Sequence, residues 1–165
     1  MIPSLLPQEL AQLAEKVVAQ NAAAGRKVVL AESCTGGLVT AALTAVPGSS
    51  EVLDRGFVTY SNGAKQELLG VSGEVIEALG AVSVACVYEM ARGALERSDA
   101  DVAVAISGIA GPGGGTEQKP VGTVVFARAI RGEPEPTAEE RFFEGEDRAG
   151  VRRQATLCAL ELLLP

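Results

Sequence analysis

The stretch Val28-Val29-Leu30-Ala31-Glu32-Ser33-Cys34-Thr35-Gly36-Gly37 decides the fold. An apolar run of strand character ends in small polar residues, and a helix-compatible run, Leu38 to Val46, follows at once. That order puts Ser33, Cys34 and Thr35 at the carboxyl end of a buried strand, on the turn into a helix. Backbone N–H groups at a helix start lack intrahelical partners, so those near Cys34 to Gly37 are candidates to hold an anion or a developing oxyanion. A hydroxyl beside such donors is placed to act as a nucleophile. The competing role for Ser33 or Thr35 is to cap the helix.

Upstream, residues 7 to 24 read as a helix with Pro7 in its first turn, an apolar stripe of Leu10, Leu13, Ala14, Val17 and Val18, and Gly25 as its stop. Downstream, Pro47-Gly48-Ser49-Ser50 breaks the chain, a helical turn fits 50 to 54, and 56 to 60 reads as a strand finishing in Tyr60, Ser61 and Asn62. Lys65 falls in the first turn of the next helix, which Asn62 would cap and Gly70 would stop. Residues 72 to 79 make a short helix. Ser83 caps a longer one with Val84, Val87, Ala91 and Ala94 or Leu95 inward. The apolar strand 101 to 106 again ends in a hydroxyl, Ser107, and runs into Gly108-Ile109-Ala110-Gly111-Pro112-Gly113-Gly114-Gly115. That loop is neither a P-loop nor a dinucleotide fingerprint; its glycines either admit a ligand to the backbone or form a turn. Strands at 122 to 129 and near 140 to 143 flank a charged turn, and Asp147 caps a last helix with Val151, Ala155, Cys158 and Leu162 inward.

Alternating strands and helices followed by a hairpin predict one α/β domain over residues 1–165, with a mixed, mostly parallel sheet and helices on both faces. If their strands are parallel, the polar ends at Ser33, Tyr60 and Ser107 share one edge, where open α/β sheets bind ligands.

Composition narrows the chemistry. The chain has 165 residues, 47% hydrophobic and 21% charged, and no histidine. A Ser-His-Asp triad, a Cys-His pair and a histidine zinc site are therefore impossible within it, and the base of a hydrolase must be Lys, Tyr, Asp or Glu. Three widely spaced cysteines form no zinc pattern or disulfide framework. No apolar run reaches membrane-spanning length, and the start, Met1-Ile2-Pro3-Ser4, lacks a basic, signal-like block, so the expectation is a cytoplasmic protein. A net charge of −7 argues against general nucleic-acid binding, while leaving room for a small phosphorylated substrate.

Lys65 is the leading base, since burial lowers a lysine's pKa toward neutrality. The sharpest reading is a Ser-Lys or Ser-Tyr-Lys hydrolase: Ser33 the nucleophile, Lys65 the base, Tyr60 a relay or orienter. Ser50, at another helix start, competes with Ser33. Cys34, with no histidine to activate it, reads as packing. Glu32 holds Lys65 or a ring amide, or satisfies the turn backbone. Lys119, Arg148, Arg152 and Arg153 are candidates for a substrate phosphate, with Arg148 and Arg152 together near the start of the last helix. Three rivals remain: a nucleotide-binding module without catalysis, a Schiff-base enzyme using Lys65, and an activated-water hydrolase.

AESCTGG at 31–37, PGSS at 47–50, RGFVTYSNGAK at 55–65, AVSV at 81–84, SGIAGPGGGTEQKPVGTV at 107–124 and DRAGVRRQA at 147–155 together resemble the CinA C-terminal domain, the nicotinamide-nucleotide amidohydrolase family. The resemblance runs from about Val28 to the C-terminus. It implies a three-layer α/β/α fold, hydrolysis of the carboxamide of nicotinamide mononucleotide (NMN) to nicotinate mononucleotide and ammonia in pyridine-nucleotide salvage, no metal or other cofactor, and a homo-oligomer of two or more chains. It also implies a catalytic set of Ser33 or Ser50 with Tyr60 and Lys65. The expected substrate-binding residues are Glu32, Thr35, Gly36, Ser107, Gly108, Arg148 and Arg152. Many relatives carry a further N-terminal domain resembling molybdopterin-binding proteins; this chain resembles the stand-alone members. Ile109 stands where some relatives have a threonine.

Overall fold

The computed structural model describes residues 3–165; Met1 and Ile2, part of the N-terminal reading above, lie outside the described residues. The chain runs α1 (Gln8–Ala23), β1 (Val28–Glu32), α2 (Leu38–Thr44), a 3-10 turn (Ser49–Glu51), β2 (Leu53–Val58), α3 (Asn62–Leu69), α4 (Gly73–Leu79), α5 (Val84–Glu96), β3 (Val102–Gly108), β4 (Thr123–Ile130), β5 (Thr137–Phe142) and α6 (Arg148–Leu162). The five strands form one sheet in the order β2-β1-β3-β4-β5. β1 is parallel to both β2 and β3, and β4 and β5 add antiparallel pairings at one side. The parallel strands therefore end together, which brings Ser33, Thr59 and Ser107 to one edge.

Two cores cover the sheet. On one face Val28, Leu30, Val104, Ile106 and Phe126 pack against buried residues of α1, α2 and α6. On the other, Val29, Ala31, Ala103, Ala105 and Ala127 pack against α5 and the end of α3. Side chains alternate across a strand, so β1 sends Glu32 toward α2 and presents Ser33 toward α3. Burying each Val or Leu stabilises the fold by about 1.5–3 kcal/mol. The second face is built from small residues, and helices come close there. At Gly93 in α5 an added Cβ would overlap the Leu69 carbonyl oxygen at the end of α3. That approach fixes the helix carrying Lys65.

Several boundaries differ from the sequence reading. β2 starts at Leu53, because Leu53 pairs with Val28 and Arg55 with Val29 across the sheet, and the helical turn shrinks to Ser49–Glu51. Ser61, not Asn62, caps α3, its hydroxyl accepting from the Ala64 N–H at 3.0 Å. In α5 the inward face is Cys86, Val87, Met90, Ala91 and Ala94, and Val84 is exposed. The caps expected at Ser83 and Asp147 form, accepting from Cys86 and Gly150 N–H groups.

Candidate active site

Lys65 is one of the largest fully buried side chains in the protein, only 1% exposed. It enters from α3 and places Nζ 2.9 Å from Ser33 Oγ, 2.8 Å from the Thr59 carbonyl oxygen and 3.2 Å from the Tyr60 carbonyl oxygen. No carboxylate joins it. Burial lowers its pKa below the ordinary lysine value, opposed by the nearby Cys86 and Cys34 thiols. Lys65 Nζ thus has three oxygen partners; once neutral, it would donate to the two carbonyls and keep its lone pair for the Ser33 O–H.

The start of α2 is arranged differently from the sequence reading. Glu32 is fully buried, and its two oxygens accept five hydrogen bonds: from the hydroxyls of Thr35 (2.6 Å) and Thr40 (2.7 Å), and from the N–H groups of Gly37 (3.3 Å), Val39 (3.0 Å) and Thr40 (3.0 Å). A protein carboxylate thus takes up the N–H groups of Gly37, Val39 and Thr40; of the amides from Cys34 to Gly37 expected to receive an oxyanion, Gly37 is the one it engages, and the Gly36 N–H donates to the Ser33 carbonyl. Glu32 and Thr35, expected at the substrate, are both fully buried here and hydrogen-bonded to each other within the turn. Gly36 (φ +60°) shapes that turn and faces the Arg152 guanidinium.

A cavity of about 280 Å³ opens over Ser33 and Lys65, lined also by Tyr60, Asn62, Ala81, Val82, Ser107, the loop from Gly108 to Gly114, and Arg148. Ser107 is buried at its base. Gly108 permits the close approach of backbone there: a Cβ would stand 2.8 Å from Val124 Cγ2 and 3.1 Å from both Cys34 Sγ and the Thr123 carbonyl oxygen. Arg148 spans the mouth, donating to the Gly111 carbonyl (2.7 Å) and the Tyr60 hydroxyl (3.1 Å). The Tyr60 side chain is 61% exposed, and its backbone carbonyl, not its phenol, meets Lys65. The Tyr60 hydroxyl, expected as a relay or orienter, faces Arg148 at the mouth of the cavity, while the carbonyl of the same residue orients Lys65. Lys119 pins the far side of the glycine loop, its Nζ donating to the Leu79 carbonyl at 2.6 Å.

Three other sequence candidates lie elsewhere. Ser50 is on the turn before β2, at the amino end of the parallel strands, so within one chain the sheet separates it from Lys65. Arg152 lines a separate cleft of about 430 Å³ beside Leu6, Leu10 and Leu38, and its Nε donates to the Cys34 carbonyl at 3.1 Å. It braces the turn after Ser33. Arg153 pairs with Glu9 of α1. The Cys34 thiol, raised to about 12 chiefly by burial, stays protonated beside Ser33. Sequence reasoning missed the Thr59 carbonyl, since a backbone acceptor leaves no mark on residue type. Among the described residues, no three of Cys, Asp and Glu gather as metal ligands, and no helix is long and apolar enough to cross a membrane.

Comparison with known proteins agrees across sequence and structure. Residues 10–165 match the family described as the CinA C-terminal domain. The chain is 54% identical over 156 residues to the nicotinamide-nucleotide amidohydrolase PncC of Escherichia coli (strain K12), covering 94% of this chain and 93% of that protein. It is 50% identical over 157 residues to the protein of the same name from Enterobacter agglomerans, covering 95% and 94%. The crystal structure of the competence/damage inducible protein CihA from Agrobacterium tumefaciens superposes with a TM-score of 0.93 at 45% identity, covering 98% of this chain and 97% of that one. The chain belongs to the CinA C-terminal domain family.

Proposed function

We propose that this protein hydrolyses the carboxamide of NMN, giving nicotinate mononucleotide and ammonia through an acyl-enzyme on Ser33. The substrate comes from the names of the two PncC relatives. The observation that carries the mechanism is the 2.9 Å approach of buried Lys65 Nζ to Ser33 Oγ. Neutral Lys65 takes the Ser33 proton as Oγ bonds to the carboxamide carbon, and the carbonyl pair moves onto oxygen. Collapse of the tetrahedral adduct breaks the C–N bond, and the ammonium of Lys65 returns its proton to the departing nitrogen, which leaves as ammonia. Water then attacks the ester carbon with Lys65 again accepting its proton; the C–O bond to Ser33 Oγ breaks, Lys65 returns that proton to Oγ, and nicotinate mononucleotide leaves.

The cavity suits a nucleotide. No carboxylate lines it, and Arg148 at its mouth offers a guanidinium to a phosphate. Because Glu32 occupies the start of α2, we assign the anion to Arg148 and the glycine loop. Cytoplasmic location and a homo-oligomer complete the reading: the three cysteines are unpaired thiols, and Val58, Leu79, Val84 and Phe142 leave apolar surface exposed. Incubating the protein with NMN and measuring ammonia and nicotinate mononucleotide together tests the reading. Equimolar release of both is expected. Binding of NMN with no ammonia would make the protein a nucleotide-binding module instead.

A further inference from the structure

We infer that Glu32 is a positioning residue, whose carboxylate closes the β1–α2 turn so that the neighbouring Ser33 hydroxyl is held against Lys65. The inference rests on Ser33 being the nucleophile, as proposed above. Up to Ser33 the chain is fixed by the sheet: the Glu32 carbonyl accepts from the Thr59 N–H (2.8 Å), and the Ser33 N–H donates to the Ile106 carbonyl (3.0 Å). Beyond Ser33 the chain leaves the sheet through Gly36 and Gly37, both in the left-handed region at φ +60° and +104°. Two glycines give such a turn many alternative conformations. Its own backbone contributes only two bonds, Gly36 N–H to the Ser33 carbonyl and Leu38 N–H to the Thr35 carbonyl. The five bonds to Glu32 reach across this segment to residues 35, 37, 39 and 40 and tie it to the last residue of β1.

All five partners donate, and Glu32 takes part in no ion pair with Lys or Arg among the described residues. A buried carboxylate without a cation is tolerated only when its lone pairs are filled in this way. A glutamine in its place would be isosteric but would turn an NH2 group against donors. The carboxylate therefore acts on the reaction through the turn, from the opposite face of β1, without touching substrate.

The test is the Glu32→Gln variant beside Thr40→Val and Thr40→Ser, with kcat, KM for NMN, the pH-rate profile and the melting temperature measured on folded protein. Glu32→Gln is expected to lower kcat by about 10²-fold, the scale of a small misplacement of reacting groups, with KM and the position of the acidic limb unchanged. Thr40→Val, which removes one of the five donors, is expected to lower kcat by a smaller factor, and Thr40→Ser to restore it. Should Glu32→Gln fail to fold, the Thr40 pair decides. A rise in KM at constant kcat, a displaced acidic limb, or wild-type kcat in folded Thr40→Val overturns the inference. Absence of ammonia release by the wild-type protein overturns the functional reading instead. The Ser33 Oγ to Lys65 Nζ separation in crystals of Thr40→Val then judges the positioning alone: lengthening beyond hydrogen-bond reach supports it, and an unchanged distance overturns it.

Discussion

Lys65 Nζ stands 2.9 Å from Ser33 Oγ, with its other two partners the backbone carbonyls of Thr59 and Tyr60. An ammonium would present three protons to these three oxygens; a neutral amine presents two and keeps a lone pair for the hydroxyl. Burial without a carboxylate partner shifts Lys65 toward the second state, the one that serves as a base.

Replacing this lysine separates activity from stability. Lys65→Met is expected to lower kcat by at least ~10², the low end for general acid–base catalysis, while the fold keeps its cooperative melting. Near-normal ammonia release by folded Lys65→Met would remove the amine from the mechanism.

The pH dependence carries a definite sign for each quantity. Activity requires the neutral amine, so kcat/KM rises with pH through one ionisation lying below the ordinary lysine value of about 10.4. For stability, both states carry the proton below the folded pKa, and the folded state bears the full cost of a buried ammonium. Between that pKa and about 10.4 the unfolded chain binds more protons, so Lys65 makes stability rise with pH; above both values the cost is gone. Urea unfolding of wild type and Lys65→Met from about pH 6 to about pH 10 should show the stability difference moving in favour of the wild type as pH rises. A pH-independent difference would contradict a depressed pKa.

Thiol chemistry offers a separate check. Cys34, Cys86 and Cys158 are all buried, and burial is the first cause raising each thiol, Cys34 to about 12. The native protein should resist alkylation by iodoacetamide under mildly alkaline conditions and keep its activity, with all three cysteines reacting after unfolding in urea. Rapid loss of activity on alkylation at Cys34 alone would bring that thiol back as a nucleophile.

The sequence displayed the strand-turn-helix frame because apolar periodicity and turn residues are local signals. Val28–Glu32 ends in a hydroxyl cluster, and Asn62–Leu69 carries a lysine between a cap and a glycine stop. The absence of histidine reduced the possible bases to a short set that contained Lys65. Contacts made across the fold were not legible. Glu32 offers a carboxylate to any cation or amide until α2 is seen folded back onto it, and nothing near Tyr60 says that its phenol faces Arg148. Arg148 and Arg152 look equivalent on one helix, yet one reaches the cavity and the other braces the Cys34 carbonyl from a separate cleft. The early start of β2 likewise depends on pairing with β1, a partner remote in sequence.

Packing behind the site should matter as much as the site itself. Gly93→Ala would drive a methyl group into the Leu69 carbonyl at the end of α3, displacing the helix that delivers Lys65. Overpacking of this kind costs about 1–3 kcal/mol, occasionally more, and should lower kcat in the folded fraction. Calorimetry with kinetics measures both; a variant matching wild type in each would show that α3 is not set by this contact.

The most direct test of the central claim is where the acyl group goes. Acid-quenching the protein during turnover of NMN and mapping its peptides by mass spectrometry should find an ester of nicotinate mononucleotide, ribose phosphate included, on the peptide containing Ser33, absent from Ser33→Ala. An acyl group on another residue, or a borohydride-reducible adduct on Lys65, would contradict the account.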